Sequence, residues 1–448
     1  MRETNSLIQQ PVKKVFFQYL IPTLVGMMLM SINILVDGIF VGNGVGSTAL
    51  ASVNIAVPVF TIILGISLWI GMGGGTLYSI SIGKGDAQQA TSIFSLSMAV
   101  ITIITVVVGV IGYVLVEPFS LLLGANEDTK PYVIEYLSIL LLFGVFMGLE
   151  SSLSVFVRND GNPNLAMISL STTAITNIGF NYVMIFILDL GVKGAAYATV
   201  LAEVIGFFIL LFHFYKNSTP LRFRLRSIKL TYVKSILSVG FPSFLSESAS
   251  LVFVIGYNIL MVRSIGTTGV AAFSVINYVH TFIFLAFLGI GAAIQPMISY
   301  YYGARLSDRI HQTLIIAIKS STLIGILFFL AAILAGDFII SLFGIVDGEI
   351  ISLARQGISL FFIGYVFLGF NIVYMTYFQS IGHIKPSVFI TIMRGFLVLI
   401  LMLIALPWMF GTPGIWLALP VSEFVVACGL FIIMRNNSMT NVTPSASN

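Results

Sequence analysis

The chain has 448 residues, of which 58% are hydrophobic and only 8% are charged, and its mean hydropathy is +1.05. Soluble domains carry roughly a quarter charged residues, so this composition excludes a soluble protein and predicts an integral membrane protein. The net charge of +4 is small, and we expect no nucleic-acid partner. The single cysteine, Cys428, excludes an intrachain disulfide, and the four histidines show no metal-ligand spacing.

Twelve apolar runs of about 20 residues or more predict twelve transmembrane helices. In chain order they cover residues 15–41, 49–80, 92–116, 131–157, 164–188, 193–215, 231–262, 270–302, 312–340, 351–380, 386–409 and 413–434. The first run is far longer than the core of a signal peptide, so we expect it to be the first span itself. The predicted fold class is an all-α integral membrane protein.

Lysine and arginine are concentrated on one side of the predicted spans. If the N terminus is cytoplasmic, seventeen of the 21 basic residues lie on that side, including Arg2, Lys216 and Arg394, which leaves four outside. Basic residues are concentrated in cytoplasmic loops, so both termini are expected in the cytoplasm. The densest cluster, LRFRLRSIK at 221–229, is expected to fix this topology and to meet anionic lipid headgroups.

The two halves of the sequence repeat each other. Shifting the chain by 220 positions, or by one more in its central part, places residues of the same type together. Examples are Pro22 with Pro242, Gly191 with Gly411, Glu203 with Glu423, Phe146 with Phe367 and Gly148 with Gly369. Each half has six spans, an even number, so pseudo-two-fold symmetry about the membrane normal is predicted. We predict an N-terminal six-helix lobe at 1–215, a basic cytoplasmic linker at 216–230 and a C-terminal six-helix lobe at 231–448.

One carboxylate, Asp37, interrupts the first apolar run in the stretch NILVDGIFVG. An ionised aspartate at the centre of a membrane helix costs about 2.5 to 3.5 kcal/mol on insertion scales. The group should therefore be protonated, paired with a cation or in contact with water. In the repeat Asp37 aligns with Tyr257, so only one half carries this charge. Asp37 is a candidate functional residue, although a position at the outer membrane interface is the alternative.

Three blocks of sequence resemble the multidrug and toxic compound extrusion (MATE) family, most closely its bacterial DinF-like branch. They are VDGIFVGNGVGSTALASVNIAVP at 36–58, GVKGAAYATV at 191–200 and GFPSFLSE at 240–247. The resemblance implies two lobes around a central cavity and export of cationic or amphipathic drugs in exchange for protons or sodium. It also implies the bacterial plasma (inner) membrane. We expect no cofactor and a monomer.

The resemblance also suggests which residues bind the coupling cation. Asp37 matches the first-helix aspartate implicated in coupling, and Asn177 and Thr199 match polar positions of the same cluster. Asn181 stands where relatives often carry a second aspartate. The predicted topology places all four side chains at one depth. Their oxygens suit sodium at Asp37 and suit a protonated carboxylic acid equally, so the choice of cation stays open.

Further candidates concern the substrate and the conformational change. Glu247 matches an acidic residue of the family branch, and the other substrate-binding candidates are Met30, Phe146, Met147 and Phe367. Pro22 and Gly26 are the predicted hinge of the first span, since proline removes a backbone donor and glycine relaxes the backbone. For Glu203 and Glu423, a structural hydrogen bond and substrate binding both stay open, and Glu150 is expected to snorkel towards the cytoplasmic end.

Other functions are less consistent with the sequence. A flippase for lipid-linked saccharides should carry several basic residues inside its spans, and the predicted spans show almost none. No paired catalytic carboxylates, metal spacing or serine motif supports an intramembrane enzyme. Composition does not distinguish a drug exporter from a solute symporter. We therefore predict a secondary active multidrug exporter, with a flippase or a symporter as alternatives.

Overall fold

The computed structural model describes residues 7–215, 220–345 and 347–436. Within these residues it contains twelve helices that are long and apolar enough to cross a membrane, and no β-strand. The predicted all-α fold with twelve spans is therefore confirmed. Arg2, Lys216 and the first part of the predicted linker, 216–219, lie outside the described residues.

We number the twelve helices α1 to α12 in chain order. They are α1 Val12–Gly44, α2 Ser47–Gly83, α3 Ala87–Val114, α4 Lys130–Asn159, α5 Pro163–Ile187, α6 Gly191–Tyr215, α7 Leu230–Ser264, α8 Thr267–Gly303, α9 Ser307–Ser341, α10 Gly348–Ser380, α11 Ile384–Phe410 and α12 Thr412–Arg435. Between α3 and α4 lies one short helix, Val116–Leu122. Most of the helices extend a few residues beyond the apolar runs, because their polar ends continue the backbone hydrogen bonding.

Short polar residues and glycines set where several helices begin. Asp86 accepts a hydrogen bond from the Gln89 backbone N–H at the start of α3, and Asn162 caps Leu165 in the same way at α5. Such caps satisfy backbone donors that have no partner within the helix. The turns before α2 and α8 contain Gly46 and Gly266, with φ of 117° and 83°. Only glycine adopts these angles at little cost, which explains why both copies of the repeat keep it.

The predicted hinge lies inside an uninterrupted helix. Pro22 is buried in α1, which runs through it from residue 12 to residue 44. Proline has no backbone N–H and cannot donate a backbone hydrogen bond. The hydroxyl of the next residue, Thr23, donates to the Tyr19 carbonyl at 2.7 Å. Gly26 faces Leu170 of α5 at van der Waals distance. Bending at Pro22 and Gly26 stays a prediction.

The described chain divides into two compact units, unit 1 at 1–247 and unit 2 at 248–448. This division falls inside α7, whereas the sequence repeat places the lobe boundary at the linker, so the predicted lobe limits stay a prediction. In unit 1 the largest core forms around Tyr78, Phe94 and Phe156, whose rings pack edge to face. The described part of the linker is attached to α3, where the Ser92 hydroxyl donates to the Ser227 carbonyl.

Unit 2 has an aromatic core at the position that corresponds to Asp37. The Tyr257 ring is fully buried and stacks on Phe273 with 5.0 Å between ring centroids. Its hydroxyl accepts a hydrogen bond from the Leu419 backbone N–H at 3.0 Å. Tyr257 is thus a structural residue of the core, and unit 2 has no carboxylate at the position that Asp37 occupies in unit 1.

A close helix crossing in unit 1 provides a test of the packing. A Cβ atom on Gly240 of α7 would overlap the carbonyl oxygen of Trp69 in α2, and one on Gly73 would overlap that of Ile236. Backbone atoms cannot rotate away, so Gly240→Ala should separate the helices and destabilise the protein by about 1–3 kcal/mol or more. Thermal unfolding in detergent measures this loss. Gly179→Ala is the matched control, since its Cβ would meet open space, and equal melting temperatures for the two variants would contradict the prediction.

Candidate functional site

The predicted cation cluster forms between α1 and α5. Asn33 and Asp37 are four residues apart on α1, and Asn177 and Asn181 are four apart on α5, so each pair shares one helix face. Asn181 Nδ2 donates to Asp37 Oδ1 at 2.6 Å, and Asn33 Nδ2 lies 2.7 Å from Asn177 Oδ1. Asn33, Asn177 and Asn181 are all buried. The carboxyl group of Asp37 is therefore surrounded by amides.

The amide of Asn177 has two arrangements that fit two charge states of Asp37. One of its terminal atoms lies 2.6 Å from Asp37 Oδ1. If this atom is the nitrogen, it donates to an ionised carboxylate, and the amide oxygen then accepts from Thr199 Oγ1. If it is the oxygen, it accepts from Asn33 and Asn181, and a contact of 2.6 Å with Asp37 requires a proton between the two oxygens. Which of the two orientations fits therefore depends on the proton of Asp37 and on how the amides of Asn33 and Asn181 are turned.

Helices α6 and α4 complete the cluster. Thr199 of α6 lies 3.3 Å from the Asn177 amide, and Tyr136 of α4 lies close to Thr199. The structure therefore brings together all four residues that the sequence placed at one depth. Asn33 and Tyr136 were not among the predicted residues. Asn33 had a visible signal, since it precedes Asp37 by one helical turn, whereas Tyr136 is one of 17 tyrosines and had none.

One oxygen acceptor of the cluster has no donor among the described residues. Asn181 is 1% exposed, and its Oδ1 has no hydrogen-bond partner in the described structure. A buried acceptor of this kind needs a proton donor or a cation. Within the described residues no group of three or more histidine, cysteine, aspartate or glutamate side chains could hold a metal ion. A sodium ion among one carboxylate and neutral oxygens fits the residues present.

Four of the five candidate substrate residues lie in unit 1, and Phe367 lies in unit 2. Met147 lines a void in unit 1 together with Thr199 and Glu203. Phe146 instead packs against Phe207, and Phe367 packs against Phe424 in unit 2. Met30 of α1 is half-buried and Glu247 of α7 lies beside Gly65 of α2. Of these five candidates, Met147 is therefore the one placed beside the cation cluster.

Glu423 of α12 is held in a buried ion pair. Its carboxylate accepts from Arg394 Nη2 at 2.9 Å and from Asn371 Nδ2 at 2.7 Å. Arg394, counted above with the cytoplasmic basic residues, lies instead ten residues into α11 and is 6% exposed. The charge count could not detect this, because it ignores which side chains find a partner inside the helix bundle. Glu423 therefore has a structural role.

Glu150 and Glu203 form a second acidic group in unit 1. Glu150 of α4 is 2% exposed and accepts hydrogen bonds from Thr173 at 2.6 Å and Ser169 at 2.9 Å. Its carboxyl group also lies close to that of Glu203 on α6. The expectation that Glu150 snorkels to the cytoplasmic end is wrong, because its carboxyl group is satisfied inside the helix bundle.

The fold and the polar cluster define a polytopic helical membrane protein with a carboxylate among amide side chains in its first half. Comparison with known proteins identifies the family. The MatE family model matches twice, at residues 22–183 and 242–404, so the chain belongs to the MatE family. The two matches begin 220 residues apart, which confirms the internal repeat.

Similar proteins cover almost the whole chain. The Multidrug export protein MepA of Staphylococcus saprophyticus is 25% identical over 94% of this chain and 93% of its own length. The protein of the same name from Staphylococcus haemolyticus is also 25% identical over 94% of each chain. Two solved structures are 25% identical with a TM-score of 0.92. One is MATE in complex with MaL6, covering 98% of this chain and 99% of its own. The other is an outward-facing multidrug resistance MATE family transporter of the MOP superfamily, covering 98% of both chains.

Proposed function

We propose that the protein is a secondary active multidrug exporter of the plasma membrane, with both termini in the cytoplasm. It exchanges cationic or amphipathic organic compounds for a coupling cation, either protons or sodium. The names of the similar proteins support the class of substrate. The observation that carries the coupling is the Asp37 carboxylate, half-buried among three asparagine amides in an otherwise apolar helix. A flippase is not favoured, because the guanidinium of Arg394 is already paired with Glu423.

Coupling requires that the cation bind one conformation better than another. Asp37 links α1 to α5 through Asn181, so the charge of this single group decides how strongly the two helices are held together. A bound proton or sodium ion neutralises Asp37 and changes the hydrogen bonds of Asn177. We propose that this change bends α1 at Pro22 and Gly26 and releases the substrate outside. Met30, Phe146, Met147, Phe367 and Glu247 are the proposed substrate contacts.

Proteoliposomes that contain only this chain provide the test. A proton gradient and a sodium gradient are imposed separately, and the movement of ethidium, an aromatic cation, is followed by fluorescence. We expect ethidium to move against one of the two gradients and not in protein-free liposomes. No movement with either gradient would contradict antiport, and movement in the same direction as the cation would identify a symporter. The monomeric state that we propose is measured on the same preparation by light scattering.

A further inference from the structure

The repeat makes the two buried acidic groups directly comparable. Glu203 corresponds to Glu423, and with the extra residue of the central part Glu150 corresponds to Asn371 and Thr173 to Arg394. In unit 2 these three positions meet through hydrogen bonds, and in unit 1 Thr173 donates to Glu150 while Glu203 lies close to Glu150. The two groups are thus copies of one three-residue arrangement, built by the fourth, fifth and sixth helix of each half.

The two copies differ in how the acid is neutralised. In unit 2 the guanidinium of Arg394 supplies a permanent positive charge, and Asn371 donates a hydrogen bond to the same carboxylate. In unit 1 a threonine replaces the arginine and a second glutamate replaces the asparagine. Within the described residues no lysine, arginine or histidine forms an ion pair with Glu150 or Glu203. Two unpaired buried carboxylates would repel each other strongly, so unit 1 needs a positive charge from outside the protein.

A proton shared between the two carboxyl groups can supply this positive charge. A hydrogen bond between two carboxyl groups requires one proton, because an ionised carboxylate only accepts. One oxygen of Glu150 already accepts from two hydroxyl groups, Ser169 and Thr173, whereas Glu203 lines a void. The shared proton is therefore placed on Glu203, the side chain from which it can exchange. Gly206 leaves the space for this arrangement, since a Cβ there would overlap Glu150 and Thr173.

The protonated residue has a route for exchange. Glu203 is 7% exposed and lines the void that Thr199 and Met147 also line. Thr199 precedes Glu203 by four residues on α6, about one helical turn, and belongs to the Asp37 cluster. The void therefore brings Glu203 within one turn of the cation cluster. A proton that leaves Glu203 can pass to a molecule in this void.

We infer that Glu150 and Glu203 form a second proton-binding site in unit 1, in which Glu203 carries an exchangeable proton that Glu150 holds. The groups facing the pair are Glu150 itself from α4, Ser169 and Thr173 from α5 and Glu203 from α6. Asp37 is connected towards this face through Asn177 and Thr199. The claim that this proton contributes to coupling rests on the proposed antiport, whereas the claim that the proton is bound does not.

Infrared spectroscopy of the purified full-length protein tests the bound proton directly. Protonated carboxylic acids absorb at a carbonyl frequency that carboxylates lack. We expect Glu203→Gln and Glu150→Gln each to remove the same single band, because either glutamine leaves the remaining acid ionised with an amide donor beside it. The double variant should remove no more than one band. Glu423→Gln is the matched control, since its carboxylate pairs with Arg394 and should leave the protonated bands unchanged.

Wild-type protein with isotopically labelled glutamate keeps the test valid if the variants do not fold. Labelling shifts the glutamate bands and leaves the aspartate bands in place. Glu247→Gln removes the contribution of Glu247, which lies in α7 and is not part of the pair. A labelled band that remains in Glu247→Gln supports the pair. Absence of that band, or removal of two bands by the double variant, would overturn a single shared proton. Failure of ethidium transport alone would contradict antiport and leave the infrared result unaffected.

Discussion

Asp37→Asn should reduce drug export to the level of liposomes without protein. Asparagine has nearly the same shape as aspartate, so the contacts of α1 with α5 can be kept. It carries no charge at any pH and cannot take up a proton, and its amide is a weaker ligand for sodium than a carboxylate. The variant therefore loses the change of state that lets a cation favour one conformation. Gradient-driven ethidium transport measures the effect.

The control for this variant is Asp337→Asn. Asp337 is also an aspartate of a long apolar helix, but its side chain is 70% exposed and pairs with Arg355. Removing it should leave transport unchanged, because exposed ion pairs contribute little. Both variants should elute as folded protein in size-exclusion chromatography. Normal export by folded Asp37→Asn protein would remove Asp37 from the mechanism.

Arg394→Ala should destabilise the protein by about 3–5 kcal/mol, the usual cost of leaving a buried charge without its partner. Glu423 is 1% exposed and would keep only the hydrogen bonds from Asn371. The contact of the Arg394 guanidinium with the Phe284 ring would also be lost. Thermal unfolding in detergent should show a large fall in melting temperature.

Two further variants separate charge from packing. Arg355→Ala breaks the exposed pair with Asp337 and should cost at most about 1 kcal/mol. The double variant Arg394→Met with Glu423→Leu removes both buried charges and should recover most of the stability, since apolar pairs often replace buried ion pairs at no net cost. If the double variant is as unstable as Arg394→Ala, the loss comes from packing and not from an uncompensated charge.

Much of the fold was predictable because lipid imposes strong constraints on sequence. Twelve apolar runs correspond to twelve helices, and the repeat found by a shift of 220 residues is confirmed by the two family matches. The Asp37 cluster was also predictable in part. A charge within a long apolar run has few favourable environments, and helix direction fixes the depth of Asn177, Asn181 and Thr199.

What the sequence could not predict depends on helix rotation. Arg394 and Glu423 are 29 residues apart on neighbouring helices, and only the angle at which each helix presents its side chain brings them together. The same is true of Glu150 and Glu203. A single sequence gives depth along each helix but not the neighbour that a side chain faces. Buried polar pairs between helices therefore need the structure.

The Arg394–Glu423 pair has a consequence for the response to membrane voltage. The pair carries no net charge, so an electric field across the bilayer does no net work when both residues move together. An ionised Asp37 is different, because moving one charge across a potential of roughly 100 mV changes its energy by about 2.3 kcal/mol. Asp37 is therefore a charge on which the membrane potential acts, and the size of that charge depends on what is bound.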